Sequence, residues 1–101
     1  MTRTEAEALL AECRRKIDAI DVELRDLLNR RARIVDEVVR AKEALGMPVY
    51  EAAREEEVVR KATTGNPGPL GDQALRHIFE TIMREMRMIQ QVYLDRRQGK
   101  P

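Results

Sequence analysis

A chain of 101 residues that is 43 % apolar, 37 % charged and 3 % aromatic is long enough for one domain and too short for two, with a core restricted to Leu, Ile, Val, Met and Ala. Nineteen basic residues against eighteen acidic ones give a net charge of +1, which excludes a general nucleic-acid or polyanion binder and confines functional charge to local clusters. The lone Cys13 rules out a disulfide framework. With an N-terminus that lacks the apolar run of a signal peptide, it points to a cytoplasmic protein with no membrane partner. So short a chain buries a modest fraction of its surface, and needs either idealised helix packing or a partner subunit.

No segment alternates apolar and polar residues at period two, so the expected fold class is all-α, with three helices and no strands in a single domain spanning 1–101. The first helix is expected over about 4–45. Thr4 and Glu7 form a capping box at its start, and Gly46 and Pro48 stop it. A second helix is expected over about 51–62, where Glu55, Glu56 and Glu57 precede Arg60 and Lys61 in the order that suits the macrodipole. The run over 63–69 is a breaker loop, a third helix follows over about 70–96, starting at Leu70 or Asp72, and the tail over 97–101 is expected to fray.

Read in heptads, the first helix carries Leu10, Cys13, Ile17, Ile20, Leu24, Leu27, Arg31, Ile34, Val38, Ala41 and Leu45 at its a and d positions. At ~1.5 Å per residue it would be roughly 60 Å long, against the ~26 Å diameter of a compact domain of this size. Two shorter helices shield only part of such a seam, so the expected assembly is an intertwined two-fold homodimer. The third helix has its own stripe at Leu75, Ile78, Phe79, Ile82, Met83, Met86, Ile89, Tyr93 and Leu94, interrupted at its edge by Gln90.

Polar residues at positions where apolar ones would stabilise better are the candidates for function. Arg31 and Gln90 are the clearest. Lys42 returns to within about 20° of the Arg31 face, ~16 Å further along, and both can line one cavity. Arg14 lies ~25 Å from Arg31 and about 100° round. It cannot share that cavity within one chain, but in an antiparallel dimer the partner could supply it. Arg54 and Glu55 on the second helix could close the pocket, with Glu51 at its mouth. Several cations, an amide and at most two carboxylates suit a small ligand bearing two negative charges and a hydroxyl. Each residue also has a structural reading: Arg31 as a register-setting heptad polar residue, Lys42 and Arg54 as a solvated helix face, Gln90 as a water-facing helix residue.

Other chemistries find less support. His77 has no second histidine or nearby cysteine at metal-ligand spacing and reads as a partly buried helix residue, so no metal is expected. Phosphate-binding and dinucleotide glycine loops and the nucleophile elbow do not occur, and no cofactor is expected. Cys13 falls on the apolar seam, where a thiol is inert. Asp26, Asp36 and Glu37 surround the basic run at Arg30, Arg31 and Arg33, and no recognition-helix turn accompanies it; nucleic acid is not an expected partner.

One ordered set of residues is more specific than its parts. Leu10, Arg14-Arg15-Lys16-Ile17-Asp18 with Ile20-Asp21, Leu27-Leu28-Asn29-Arg30-Arg31, Ala41-Lys42, Pro48-Val49, Arg54-Glu55, Phe79 and Gln90-Gln91 together resemble the all-helical chorismate mutase family, small intertwined dimers of three helices per chain. The resemblance runs from about Leu9 to Gln91. It implies conversion of chorismate to prephenate by a sigmatropic (Claisen) rearrangement, without cofactor, on the way to the aromatic amino acids. It further implies that Arg31 of one chain and Arg14 of the other hold the substrate carboxylates, and that Lys42 reaches a carboxylate and the ether oxygen. Gln90 would donate to that oxygen from the other side. Glu55, helped by backbone near Glu51, would accept from the ring hydroxyl, and Arg54 would support the field. Gln90 does not titrate, so activity is expected to change little from acid to neutral pH. Two positions depart from the family pattern: Met86, where several members have a small or hydroxylated residue facing substrate, and Glu51, where a member has Asp. The same scaffold also admits an isochorismate pyruvate-lyase, or a non-catalytic module that senses chorismate or prephenate and docks on another shikimate-pathway enzyme. A start at Met1 with a cap close behind favours an independent protein.

Overall fold

The computed structural model describes residues 1–100, and Pro101 lies outside the described residues. Three helices form in chain order: α1 (Arg3–Leu45), α2 (Ala52–Thr63) and α3 (Asp72–Arg97), with no strand among the described residues. The helix starts are set by local chemistry. Thr2, rather than Thr4, caps α1: its Oγ1 accepts the Glu5 N–H at 3.1 Å, and Glu5 Oε1 faces the Thr2 N–H at 3.4 Å. Both Thr2/Glu5 and Thr4/Glu7 have the capping-box spacing, and the earlier cap lets the helix begin at Arg3 instead of Glu5. Glu7, expected in the box, instead accepts from Arg3 Nε at 3.1 Å.

The other boundaries shift for equally local reasons. Glu51 is the N-cap of α2 with an extended backbone and no side-chain capping bond, so α2 begins one residue later than expected. Asn66 donates from Nδ2 to the Leu70 carbonyl at 2.8 Å and to Asp72 Oδ1 at 2.9 Å. These bonds hold Leu70 and Gly71 in the loop, and α3 starts at Asp72, the later of the two expected starts. At the far end Lys100 N–H reaches the Asp95 carbonyl at 2.7 Å and Gly99 N–H reaches Arg96 at 3.2 Å, with Gly99 at φ +72°. Residues 98–100, expected to fray, thus close α3 with a Schellman motif that satisfies two orphan carbonyls.

The chain divides into two compact units, residues 1–33 and residues 34–101. The first is helix alone, and none of its described residues is buried. Its apolar seam stands in solvent, with Leu10, Ile17, Ile20, Leu24 and Leu27 each 48–55 % exposed. The second contains all the buried apolar residues among those described: Val35 and Val39 near the end of α1, Val59 on α2, and Met83 and Met86 on α3. Each such side chain contributes roughly 1.5–3 kcal/mol when fully buried. Within this unit α2 and α3 pack on each other. Polar ties reinforce the unit: Arg76 to Glu56 at 2.8 Å between α3 and α2, and Arg97 to Glu43 at 3.0 Å between α3 and α1. Arg76 donates to Glu56 and holds its carboxyl below the usual carboxylate range, chiefly by that hydrogen bond and then by charge. Among the described residues no helix is long and apolar enough to cross a membrane.

Candidate functional site

The end of α1 sets the first part of the site. Gly46 takes φ +68°, a conformation that strains any side-chain-bearing residue, and lets the chain reverse. Met47 N–H then reaches the Lys42 carbonyl at 2.8 Å and Gly46 N–H reaches Glu43 at 3.3 Å, a second Schellman motif. The reversed chain brings the Val49 carbonyl to the Lys42 side chain. Lys42 Nζ donates to Val49 O at 2.8 Å and to Gln90 Oε1 on α3 at 3.0 Å. The lysine near the end of α1 and the polar break in the α3 stripe, two of the sequence candidates, thus meet directly.

Glu51 completes this group. Its Oε1 lies 3.6 Å from Lys42 Nζ, near enough for an ion pair and too far for a hydrogen bond. That oxygen is buried and has no hydrogen-bond partner. A buried carboxylate oxygen without a donor costs free energy, so Glu51 is an acceptor primed for a hydroxyl or amide. The Lys42 and Glu51 side chains are only 16 % and 23 % exposed, which strengthens their interaction relative to a surface pair.

A second group sits on α2 and α3. Arg87 Nη1 donates to both carboxylate oxygens of Glu55, and its guanidinium carbon stacks 5.2 Å from the centroid of the Tyr50 ring. Tyr50, Glu55, Glu80 and Arg87 line an open depression of about 450 Å³. Arg54 turns along its own helix instead, donating to Glu57 at 2.5 Å, with Lys61 Nζ 3.5 Å from the same oxygen. The Arg54 hydrogen bond, followed by the Lys61 charge, holds the Glu57 carboxyl below its ordinary value.

Of the remaining sequence candidates, Met86 is a buried residue of α3. Arg14 is exposed and Arg31 half-buried, both within residues 1–33. About 25 Å of continuous helix separates those two arginines, too far for one small ligand to bridge. His77, expected to be partly buried, is exposed, and Cys13 is exposed along with the rest of the seam. Among the described residues there is no group of three or more His, Cys, Asp or Glu side chains that could hold a metal ion.

Sequence reasoning missed Arg87. Its signal was a cation one turn before Gln90 on the same helix face, at a position flanking the Met83 and Met86 stripe. Together the two groups supply an ammonium, an amide and a guanidinium as donors, with two carboxylates as acceptors. Donors and acceptors of these kinds suit a polar anion carrying a hydroxyl.

Comparison with known proteins bears on which anion. Residues 13–91 match the family model described as chorismate mutase type II. The chain is 33 % identical over 78 residues to the bifunctional chorismate mutase/prephenate dehydratase of Aquifex aeolicus, covering 73 % of this chain and 22 % of that protein. It is 36 % identical over 85 residues to the protein of the same description from Neisseria gonorrhoeae, covering 84 % and 23 %. The chain therefore spans less than a quarter of the length of these relatives. Among solved structures, form II of the chorismate mutase from Thermus thermophilus aligns with a TM-score of 0.78 at 33 % identity, over 81 % of this chain and 93 % of that one. Chorismate mutase from Helicobacter pylori in complex with prephenate aligns with a TM-score of 0.81 at 28 % identity, over 87 % and 96 %.

Proposed function

The chain belongs to the chorismate mutase type II family, and from that premise we propose that it converts chorismate to prephenate as a homodimer. The observation that carries the reading is the Lys42–Gln90 pair, an ammonium and an amide held 3.0 Å apart. In this rearrangement a C–O bond breaks as a C–C bond forms, with no proton transfer and no covalent intermediate. Catalysis then reduces to holding the flexible enolpyruvyl arm over the ring and stabilising charge that grows on the ether oxygen. Because Gln90 Oε1 accepts from the Lys42 ammonium, its Nε2 amide keeps its N–H groups for a ligand. Lys42 and Nε2 of Gln90 are the two donors we assign to the ether oxygen.

The remaining roles follow the same reading. Arg31 of one chain and Arg14 of its partner bind the two carboxylates, and Glu55 accepts from the ring hydroxyl beside Glu51. Arg54 adds positive field, and Met86 closes the pocket wall without donating a hydrogen bond. Two observations support the dimer: the separation of Arg14 from Arg31 along one helix, and a contiguous apolar stripe too long to be ordinary surface. Since relatives are described as bifunctional with prephenate dehydratase, we extend the proposal to association with a shikimate-pathway enzyme that consumes prephenate. Its proposed setting is the cytoplasm.

The test is to incubate purified protein with chorismate, following loss of chorismate and appearance of prephenate. Prephenate should form well above the buffer rate. Stable chorismate, or pyruvate release from isochorismate as the sole activity, would overturn the reading.

A further inference from the structure

We propose that Arg87 is a positioning residue that holds the Glu55 carboxylate in the orientation that reads the substrate's ring hydroxyl. The inference rests on the proposed mutase function and deepens it, since it names what makes the site select a hydroxylated ligand. Three observations carry it. Arg87 Nη1 donates to both oxygens of Glu55, so the carboxylate is held from one side. The guanidinium also lies 5.2 Å from the centroid of the Tyr50 ring, a cation–π contact that adds a second hold on it. The pair is partly withdrawn from solvent, with side-chain exposures of 30 % for Arg87 and 22 % for Glu55, and it borders an open depression.

The chemistry explains why such a clamp matters here. An ionised carboxylate has about four lone-pair sites, so accepting from one nitrogen leaves Glu55 acceptor capacity for a hydroxyl. Without Arg87, Glu55 would rotate among rotamers. It would also present an unpaired negative charge to a dianionic substrate, which weakens binding by like-charge repulsion. The clamp therefore supplies both orientation and neutralisation, and its loss should raise KM more than it lowers kcat. A residue acting only on the fold would lower stability without altering which substrate is preferred.

The experiment compares the full-length wild type, Arg87→Met, Glu55→Gln and the double variant on chorismate and on its analogue lacking the ring hydroxyl. Arg87→Met should convert chorismate with a raised KM, and its preference for chorismate over the analogue should fall about tenfold, the usual scale for a lost hydrogen bond to a charged group. The double variant should match Glu55→Gln alone, because Arg87 acts through Glu55. Should Arg87→Met fail to fold, Arg87→Gln, which keeps a polar end on a shorter, uncharged side chain, takes its place in the same cycle. Unchanged preference in an active Arg87 variant, or additive losses in the double variant, would overturn the inference. Wild-type protein inactive on chorismate would instead overturn the mutase reading.

Discussion

Residues 1–33 and residues 34–101 obey the same helical periodicity and use it oppositely. In the second unit the stripe is buried by the chain itself, through Val35, Val39, Val59, Met83 and Met86. In the first, an equally regular stripe from Leu10 to Leu27 is exposed. Apolar periodicity thus states that a face will be covered but not by which chain. The same division separates the polar groups. Lys42, Glu51, Glu55, Arg87 and Gln90 are assembled within 34–101, whereas Arg14 and Arg31 belong to the unit whose apolar face, in the proposed dimer, a partner covers.

Charging the exposed seam attacks that contrast most strongly. Ile20→Glu should cost the proposed dimer roughly 3–5 kcal/mol per chain, the scale of an unpaired buried charge. Sedimentation should show single chains without mutase activity, and a dimer of unchanged affinity would mean the seam faces water in the assembly as well. Next in size is the effect of Lys42→Met or Gln90→Leu, each expected to raise the barrier by roughly 3 to 4 kcal/mol, as for a lost oxyanion donor. Here kcat should fall at unchanged oligomeric state, and full activity would remove the pair from the mechanism. Smaller again is Val59→Ala in the self-buried unit. Two methyl groups and a residual cavity predict a loss of about 2 kcal/mol by denaturant unfolding, and a loss near zero would place that side chain outside the core.

The smallest effect is electrostatic. Arg76 lowers the Glu56 carboxyl below its ordinary 4.5, and Arg54 and Lys61 do the same for Glu57. A carboxyl depressed by folding contributes stability that is present above its unfolded value and is lost as pH falls through its folded value. These groups are solvent-exposed, so the melting temperature should drop only slightly below pH 4.5, and Glu56→Gln should flatten that slope. Gln90 adds no ionisation, so kcat should show no acid limb from this position; a limb abolished by Gln90→Leu would contradict it.

Much of the molecule was legible in its residues. The three helices follow from period, from Gly46 and from the breaker run over 63–69. Gln90 stood out as a polar break in an apolar stripe and Lys42 as sharing the Arg31 face, but only the family resemblance joined Lys42 to Gln90. Boundaries were less legible where two solutions fit one pattern, as with Thr2/Glu5 and Thr4/Glu7, or where a side chain reached across a loop, as Asn66 does to Leu70 and Asp72. The Arg87–Glu55 clamp was hidden for a different reason. It depends on the register of α3 against α2, which sequence spacing on either helix alone does not contain. Exposure of the seam within one chain was legible from length alone, since two shorter helices cannot cover a helix of roughly 60 Å.

The measurement that goes straight to the central claim mixes two inactive proteins. Arg14→Ala and Arg31→Ala chains, each assayed alone and then unfolded and refolded together, should regain activity equal to about one intact site per heterodimer if each pocket draws an arginine from both chains. A mixture no more active than its components would contradict a pocket built from two chains.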